Sequence, residues 1–196
     1  MPSPAAKAYK SISARSTIIL RADRSSLARA DVQSLYGASF VAQVAAWNTY
    51  APALVGCFFQ EVSNPAHASF HAMHTIANGA AKSYIERFNT PNTENTRNLI
   101  VACTGYDPLT DWQWPARGLT VLAVRTRLNE ILKVRHSFAH GFTMPGVGWN
   151  QATSGEIRLT LDILQWTRLF LNHLVAATDA GLKRHLVVVH GVAPTW

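Results

Sequence analysis

The stretch RGLTVLAVRTRLNEILKVRHSFAHG, residues 117–141, decides the fold class. Leu119, Leu122, Ala123, Leu128, Ile131, Leu132, Val134 and Phe138 recur at helical spacing and form a broad apolar stripe. Gly141 follows the last periodic residue, where a C-terminal cap belongs. The same period appears on both sides. Downstream, Ile157, Leu161, Leu164, Leu169, Phe170, Leu174 and Val175 predict a helix over 155–180 with these residues inward. Upstream, Val32, Leu35, Tyr36, Phe40, Val44 and Trp47 predict a helix opening at an Asp31 N-cap, kinked or interrupted at Pro52 and running on to about 62. A further helix follows over 67–88, with Phe70, Met73, Ile76, Ala77, Ala81 and Ile85 on one face. After the turn-rich NTPNTEN (89–95), a short helix begins near Glu94. About five helices with short loops and little strand signal define an all-α bundle.

The organisation that follows is a flexible basic segment at 1–30, a helical domain at 31–180 and a C-terminal extension at 181–196. In that extension, Leu186 to Val189 are β-prone. The first segment is rich in Ser, Ala and basic residues, which points to a poorly ordered lead. Its apolar run at 18–20 is far shorter than a secretory h-region.

Composition narrows the function classes. Hydrophobic residues make up 48% of the 196 and charged residues 15%, enough apolar content for a core and too much for a disordered chain. No stretch approaches the roughly 20 unbroken apolar residues of a membrane span. Net charge is +7, and 13 of the 18 basic residues are Arg. The excess of Arg has two readings: Arg codons of a GC-rich genome, or a polyanionic partner, with nucleic acid first, since Arg grips phosphate with a bidentate fork. Cys57 and Cys103 lie far apart in apolar surroundings and read as reduced core thiols of a cytoplasmic protein.

Three groups carry possible chemistry. Arg135-His136-Ser137-Phe138-Ala139-His140-Gly141 closes the strongest helix. His136 and His140 share a helix face, whereas Arg135 and His140 are about 140° apart and flank a groove or meet a second copy of the helix. Arg with His suffices for metal-free RNA cleavage: a base takes the ribose 2′-OH proton while the guanidinium stabilises the phosphorane charge. The spacing itself is weak evidence. Three pairs place an Arg five to seven residues before a His (135/140, 168/173 and 184/190), against about 1.6 from chance. Only the first ends a helix at a glycine with a polar residue directly after the Arg.

His67, His71 and His74 stand at i, i+4 and i+7, a spacing that suits a divalent ion. No Cys, Asp or Glu in that stretch completes the set, so a mixed polar helix face is the preferred reading, with no metal and no cofactor assigned. Trp112, Trp114 and Trp149 lie in loops, where they pin loop to core or stack on bases. Phosphate-binding glycine loops and Ser-His-Asp or Cys-His arrangements are not legible.

LNEILKVRHSFAHG (128–141) resembles the R-x4-6-H signature of HEPN domains. ASFVAQVAAWNTYAPALV (38–55), RFNTPNTENTRNLI (87–100) and TGYDPLTDWQW (104–114) are similar, in order, to successive blocks of the RiboL-PSP-HEPN branch. The similarity covers roughly residues 34–177. It implies a helical bundle that dimerises through the motif helices and cleaves RNA without metal at a composite site between protomers. Toxin-type or abortive-infection effectors, some with an antitoxin or defence-system partner, are common in the family. Arg135 and His140 are then the catalytic pair. His136 takes the place of a polar residue that is usually Asn. Ser137 and Arg127, on the same helix, are the candidate substrate-binding residues. In some family toxins a Tyr two residues past the His is modified by the antitoxin; here that position is Phe142. The alternative reading is a non-catalytic module that binds RNA or a nucleotide, or a dimerising scaffold.

Overall fold

Trp47, Phe40, Val44, Tyr50, Leu54 and Val55 are at most 1% exposed, and all belong to one helix. That helix, α2 (Arg29–Glu61), is the 33-residue axis of the molecule. Around it lie α1 (Pro4–Leu20), α4 (Thr93–Thr104), α5 (Val121–His140) and α6 (Leu161–His190). The remaining helix, α3 (Ala68–Arg87), rests mainly on α4. The structure is a computed structural model that describes residues 1–21, 23–62 and 68–196. Among the described residues the class is all-α: six α-helices, two 3₁₀ turns (Pro108–Thr110 and Pro115–Arg117) and isolated β-bridges instead of strands. None of these helices is long and apolar enough to cross a membrane.

The largest correction is at the N-terminus. The expected flexible segment is α1, packed along α2 and touching α6. Its buried face is Ala5, Ala6, Tyr9, Ser13 and Ser16, mostly small residues that give no hydrophobic period. Small side chains let the helices approach closely: the Ser39 hydroxyl of α2 donates to the Ser16 carbonyl at 3.1 Å. The Tyr9 ring meets Tyr50 edge-on at 6.2 Å. Burial pushes the Tyr9 phenol up to about 12.

Ser3 caps α1, accepting from the Ala6 amide at 3.0 Å, and also joins it to α6. Its amide donates to Asp179 Oδ2 at 2.9 Å and its hydroxyl to Oδ1. Both residues are buried. Asp179→Ala leaves two buried donors unpaired, so a loss of about 3 kcal/mol is expected in urea unfolding, with faster proteolysis within α1. Asp179→Asn keeps one acceptor and should cost less. An unchanged urea midpoint for the alanine variant would show that the latch contributes nothing.

Helix ends also moved. Asp31 is in the first turn of α2, whose N-cap is Ala28; the carboxylate there faces the positive end of the helix dipole. The assigned helix runs on through Pro52. α5 starts at Val121, where the Thr120 hydroxyl accepts the Ala123 amide at 3.2 Å. α6 starts after Thr160, later than expected, because 155–160 turn back through a bridge between Gln151 and Ile157. It then runs to His190, so Leu186 to Val189 are helical and the C-terminal extension is largely its last turns. Leu186 is buried while Val187, Val188 and Val189 are exposed. Helical periodicity through Leu182 and Leu186 outweighs the β-propensity of three valines. The Phe70, Met73 and Ile76 face of α3 is 60%, 64% and 74% exposed. Leu169 and Ile157 of the predicted inward set are 44% and 38% exposed, and Leu122 and Phe138 of the α5 stripe 70% and 38%.

Candidate functional site

Gly141 ends α5 in the left-handed region at φ 66°. That turn sends the Phe142 amide back to the Ser137 carbonyl at 2.9 Å. It also folds the Phe142 ring against the imidazoles. His136 and His140 have ring centroids 4.1 Å apart, and Phe142 lies 5.8 Å from His140 and 6.1 Å from His136. All three rings are solvent-exposed. The i, i+4 spacing thus produces the paired imidazoles expected of it.

Arg135 points the chemistry toward a neighbouring groove of about 510 Å³. α5 contributes Asn129, Lys133, Arg135 and His136 to its lining, and the segment leading into α4 contributes Thr90 and Asn92. Asn129 also holds that segment, its Oδ1 accepting the Thr93 amide at 3.1 Å. Lys133 was not singled out in the sequence, although it stands three residues before His136, on the same helix face. His140 lies beyond the groove lining and is joined to it through the His136 ring. Among the described residues, the side chains of Arg135, His136 and His140 enter no hydrogen bond or ion pair, and those of Arg135 and His140 do not bond to each other.

The other Arg/His pairs are committed to packing. Arg168 donates to the Thr17 hydroxyl at 3.0 Å. The His173 ring stacks on Trp114 at 4.5 Å, with Nε2 2.8 Å from the Gln113 carbonyl oxygen. Arg184 is paired with Asp111. The His190 ring packs against Phe58 and His185, and burial lowers its pKa from the usual imidazole value. The helix-end context expected to single out 135/140 does not do so: α6 also closes at His190 on a left-handed Gly191, with His185 directly after Arg184. What separates the pairs is their surroundings.

The two substrate-binding candidates are placed elsewhere. Ser137 is 4% exposed, and its hydroxyl donates to the Val134 carbonyl at 2.7 Å within its own helix. It thus faces away from the exposed rings. Arg127 lines a different cavity, its guanidinium 4.4 Å from the Trp166 ring centre and 5.3 Å from that of Trp149. Of the loop tryptophans, Trp112 is fully buried, donating from Nε1 to the Thr178 hydroxyl at 2.8 Å. Trp114 and Trp149 are half-buried. Of the histidine triad, His67 lies outside the described residues. His71 is exposed, and the His74 ring packs edge-on against Phe59 at 5.7 Å. Among the described residues no group of three or more His, Cys, Asp or Glu is placed to hold a metal ion.

Neither thiol is activated. Burial raises Cys57 and pushes Cys103 up to about 11. At pH 8 the Cys103 thiolate fraction then falls more than ~100-fold below that of an ordinary cysteine. Iodoacetamide should label the native protein at least that much more slowly than the urea-unfolded protein; equal rates would contradict the burial.

No protein-family model, curated protein or solved structure matches this chain. The fold and site define an all-α bundle with an uncommitted Arg/His cluster at one exposed helix end.

Proposed function

We propose that the end of α5 is the active site of a metal-independent endoribonuclease. The observation that carries this reading is the contrast among the three Arg/His pairs: among the described residues, only in the 135/140 pair do both side chains enter no hydrogen bond or ion pair, and the pair adjoins a groove lined by Lys133 and Arg135 with the single carboxylate Glu94. The net charge of +7 favours a polyanionic substrate. An imidazole takes the proton from a ribose 2′-OH, and that oxygen attacks the adjacent phosphorus. The bond to the 5′ oxygen breaks, and this leaving oxygen takes up a proton. Arg135 stabilises the charge on the non-bridging oxygens. The products are a 2′,3′-cyclic phosphate and a 5′-OH.

The HEPN resemblance supplies the rest of the reading: a homodimer that brings two α5 ends together across a cleft, a toxin or antiviral-defence role with a possible antitoxin or defence-system partner, and a cytoplasmic location. His136, 4.1 Å from His140, is positioned to share the proton work. Incubation of the purified protein with total RNA in EDTA, followed by mapping of the cleaved ends, tests the proposal. Cyclic-phosphate ends from wild type, and none from His140→Ala, are expected. Binding of RNA without cutting by either protein would favour the non-catalytic module instead.

A further inference from the structure

The cavity that holds Arg127 is built differently from the groove beside Arg135. It is also about 510 Å³, within the size range of small-molecule sites. Its wall is a layered stack. Trp149 and Trp166 are half-buried, and Arg127 lies over both rings. Fully buried Phe40 and Phe170 back the indoles from the core side, with ring centroids 6.2 and 5.2 Å away. Trp149 Nε1 donates to Glu130 Oε2 at 2.8 Å, which fixes that ring. The same carboxylate lies 3.8 Å from Arg127, so it only partly offsets the guanidinium charge. The surface is therefore aromatic, carries a guanidinium and is preset, whereas Trp47, Trp112 and Trp196 are buried in packing.

Beside Leu119 and Ile163, two further polar groups line the cavity. Arg117 is exposed, lies over the Trp114 ring at 5.7 Å and enters no ion pair among the described residues. Asp162 is exposed in the first turn of α6. Indole and guanidinium planes both accept the face of a nucleobase. A free arginine accepts a phosphate. A carboxylate accepts N–H donors from a base edge and repels a bare polyanion. We infer that this cavity binds a nucleobase carrying a phosphate, either as a free nucleotide or as one unit of a single strand. The base lies on the Trp149–Arg127–Trp166 wall, the phosphate on Arg117 and the base edge toward Asp162. Arg127 and Arg135 are two helical turns, about 12 Å, apart on α5, so this site is separate from the cleaving end and does not depend on its chemistry.

Titration of the full-length protein with AMP, GMP, CMP and UMP, followed by tryptophan quenching and calorimetry, tests the inference. Saturable binding is expected, with inorganic phosphate and the bare nucleosides at least tenfold weaker. Trp166→Ala should weaken binding about ten- to a hundredfold, and Trp166→Phe should retain most of it. Arg117→Ala, at an exposed position that leaves the fold intact, should weaken binding about tenfold and flatten its salt dependence. Asp162→Asn should alter the order of preference among the four bases. Competition by a short single-stranded RNA assigns the site to RNA; nucleotide binding that such a strand does not displace assigns it to a free nucleotide. The inference is overturned if no mononucleotide binds at millimolar concentration, if phosphate binds as well as the nucleotides do, or if Trp166→Ala and Arg117→Ala both bind like wild type. The readout involves no cleavage, so its failure and that of the ribonuclease reading are distinguishable.

Discussion

Alanine at position 140 is expected to lower the rate of RNA cleavage about 10²- to 10⁴-fold, the range over which a positioned general acid or base contributes. His140 is exposed and makes only ring contacts, with His136 and Phe142. The variant should therefore keep the wild-type circular dichroism and melting temperature, which separates lost chemistry from lost structure. Arg135→Ala should cost about 10²- to 10³-fold, mainly in kcat, because its charge acts on the transition state. Arg135→Lys keeps the charge but loses the fork and should recover only part of the rate. Position 136 separates two roles. If the second imidazole only holds His140, Asn restores what Ala removes; if it moves a proton, Asn does not. Cleavage in EDTA that is equal in wild type, Arg135→Ala and His140→Ala would remove the proposed site altogether.

Gly181→Ala is expected to destabilise the fold by about 3 kcal/mol, although it replaces glycine inside a helix. Helix propensity alone predicts the opposite sign, a gain of about 1 kcal/mol. The close approach of the loop before α5 decides against it. A Cβ built at position 181 overlaps the Tyr106 hydroxyl and the Asp111 carboxylate. Tyr106 is 5% exposed and donates to Asp111 Oδ2 at 2.6 Å. Burial, and then the hydrogen bond to Asp111, push its phenol well above the usual value. Asp111 also pairs with Arg184. Moving the loop aside thus breaks a partly buried hydrogen bond and strains the packing, costs of about 1–3 kcal/mol each. In a protein of this length the melting temperature should fall by roughly 6–12 °C. The loss should shrink in a Tyr106→Ala background, where the clash is relieved. A Gly181→Ala variant more stable than wild type would show that the loop does not pack there.

The same glycine explains why the last helix reads as ending at Ala180. Locally, Gly181 followed by a β-prone run signals a stop. In the folded chain it marks the contact that seats Tyr106, and α6 continues for three more turns. At the N-terminus the error has the opposite form. A face of alanine and serine carries no periodic hydrophobic signal, yet it packs against α2 because small side chains permit close approach, and the latch from Ser3 to Asp179 spans 176 residues. Sequence patterns report how one segment divides water from core. They do not report which distant segment fits against it.

For the candidate site the division is similar. The sequence alone determined the all-α class, the buried part of the α5 stripe (Leu128, Ile131, Leu132 and Val134), the Gly141 cap and the pairing of His136 with His140, since all of these follow from spacing along one helix. Tertiary structure decided what spacing leaves open. It turned Ser137 inward and placed Arg127 over two indoles from separate segments. It also bound Arg168, His173 and Arg184 to partners 60 to 151 residues away. Whether a side chain is free to act depends on neighbours brought by the rest of the chain. That is why three Arg/His pairs of similar spacing became one uncommitted pair only when the helices were packed.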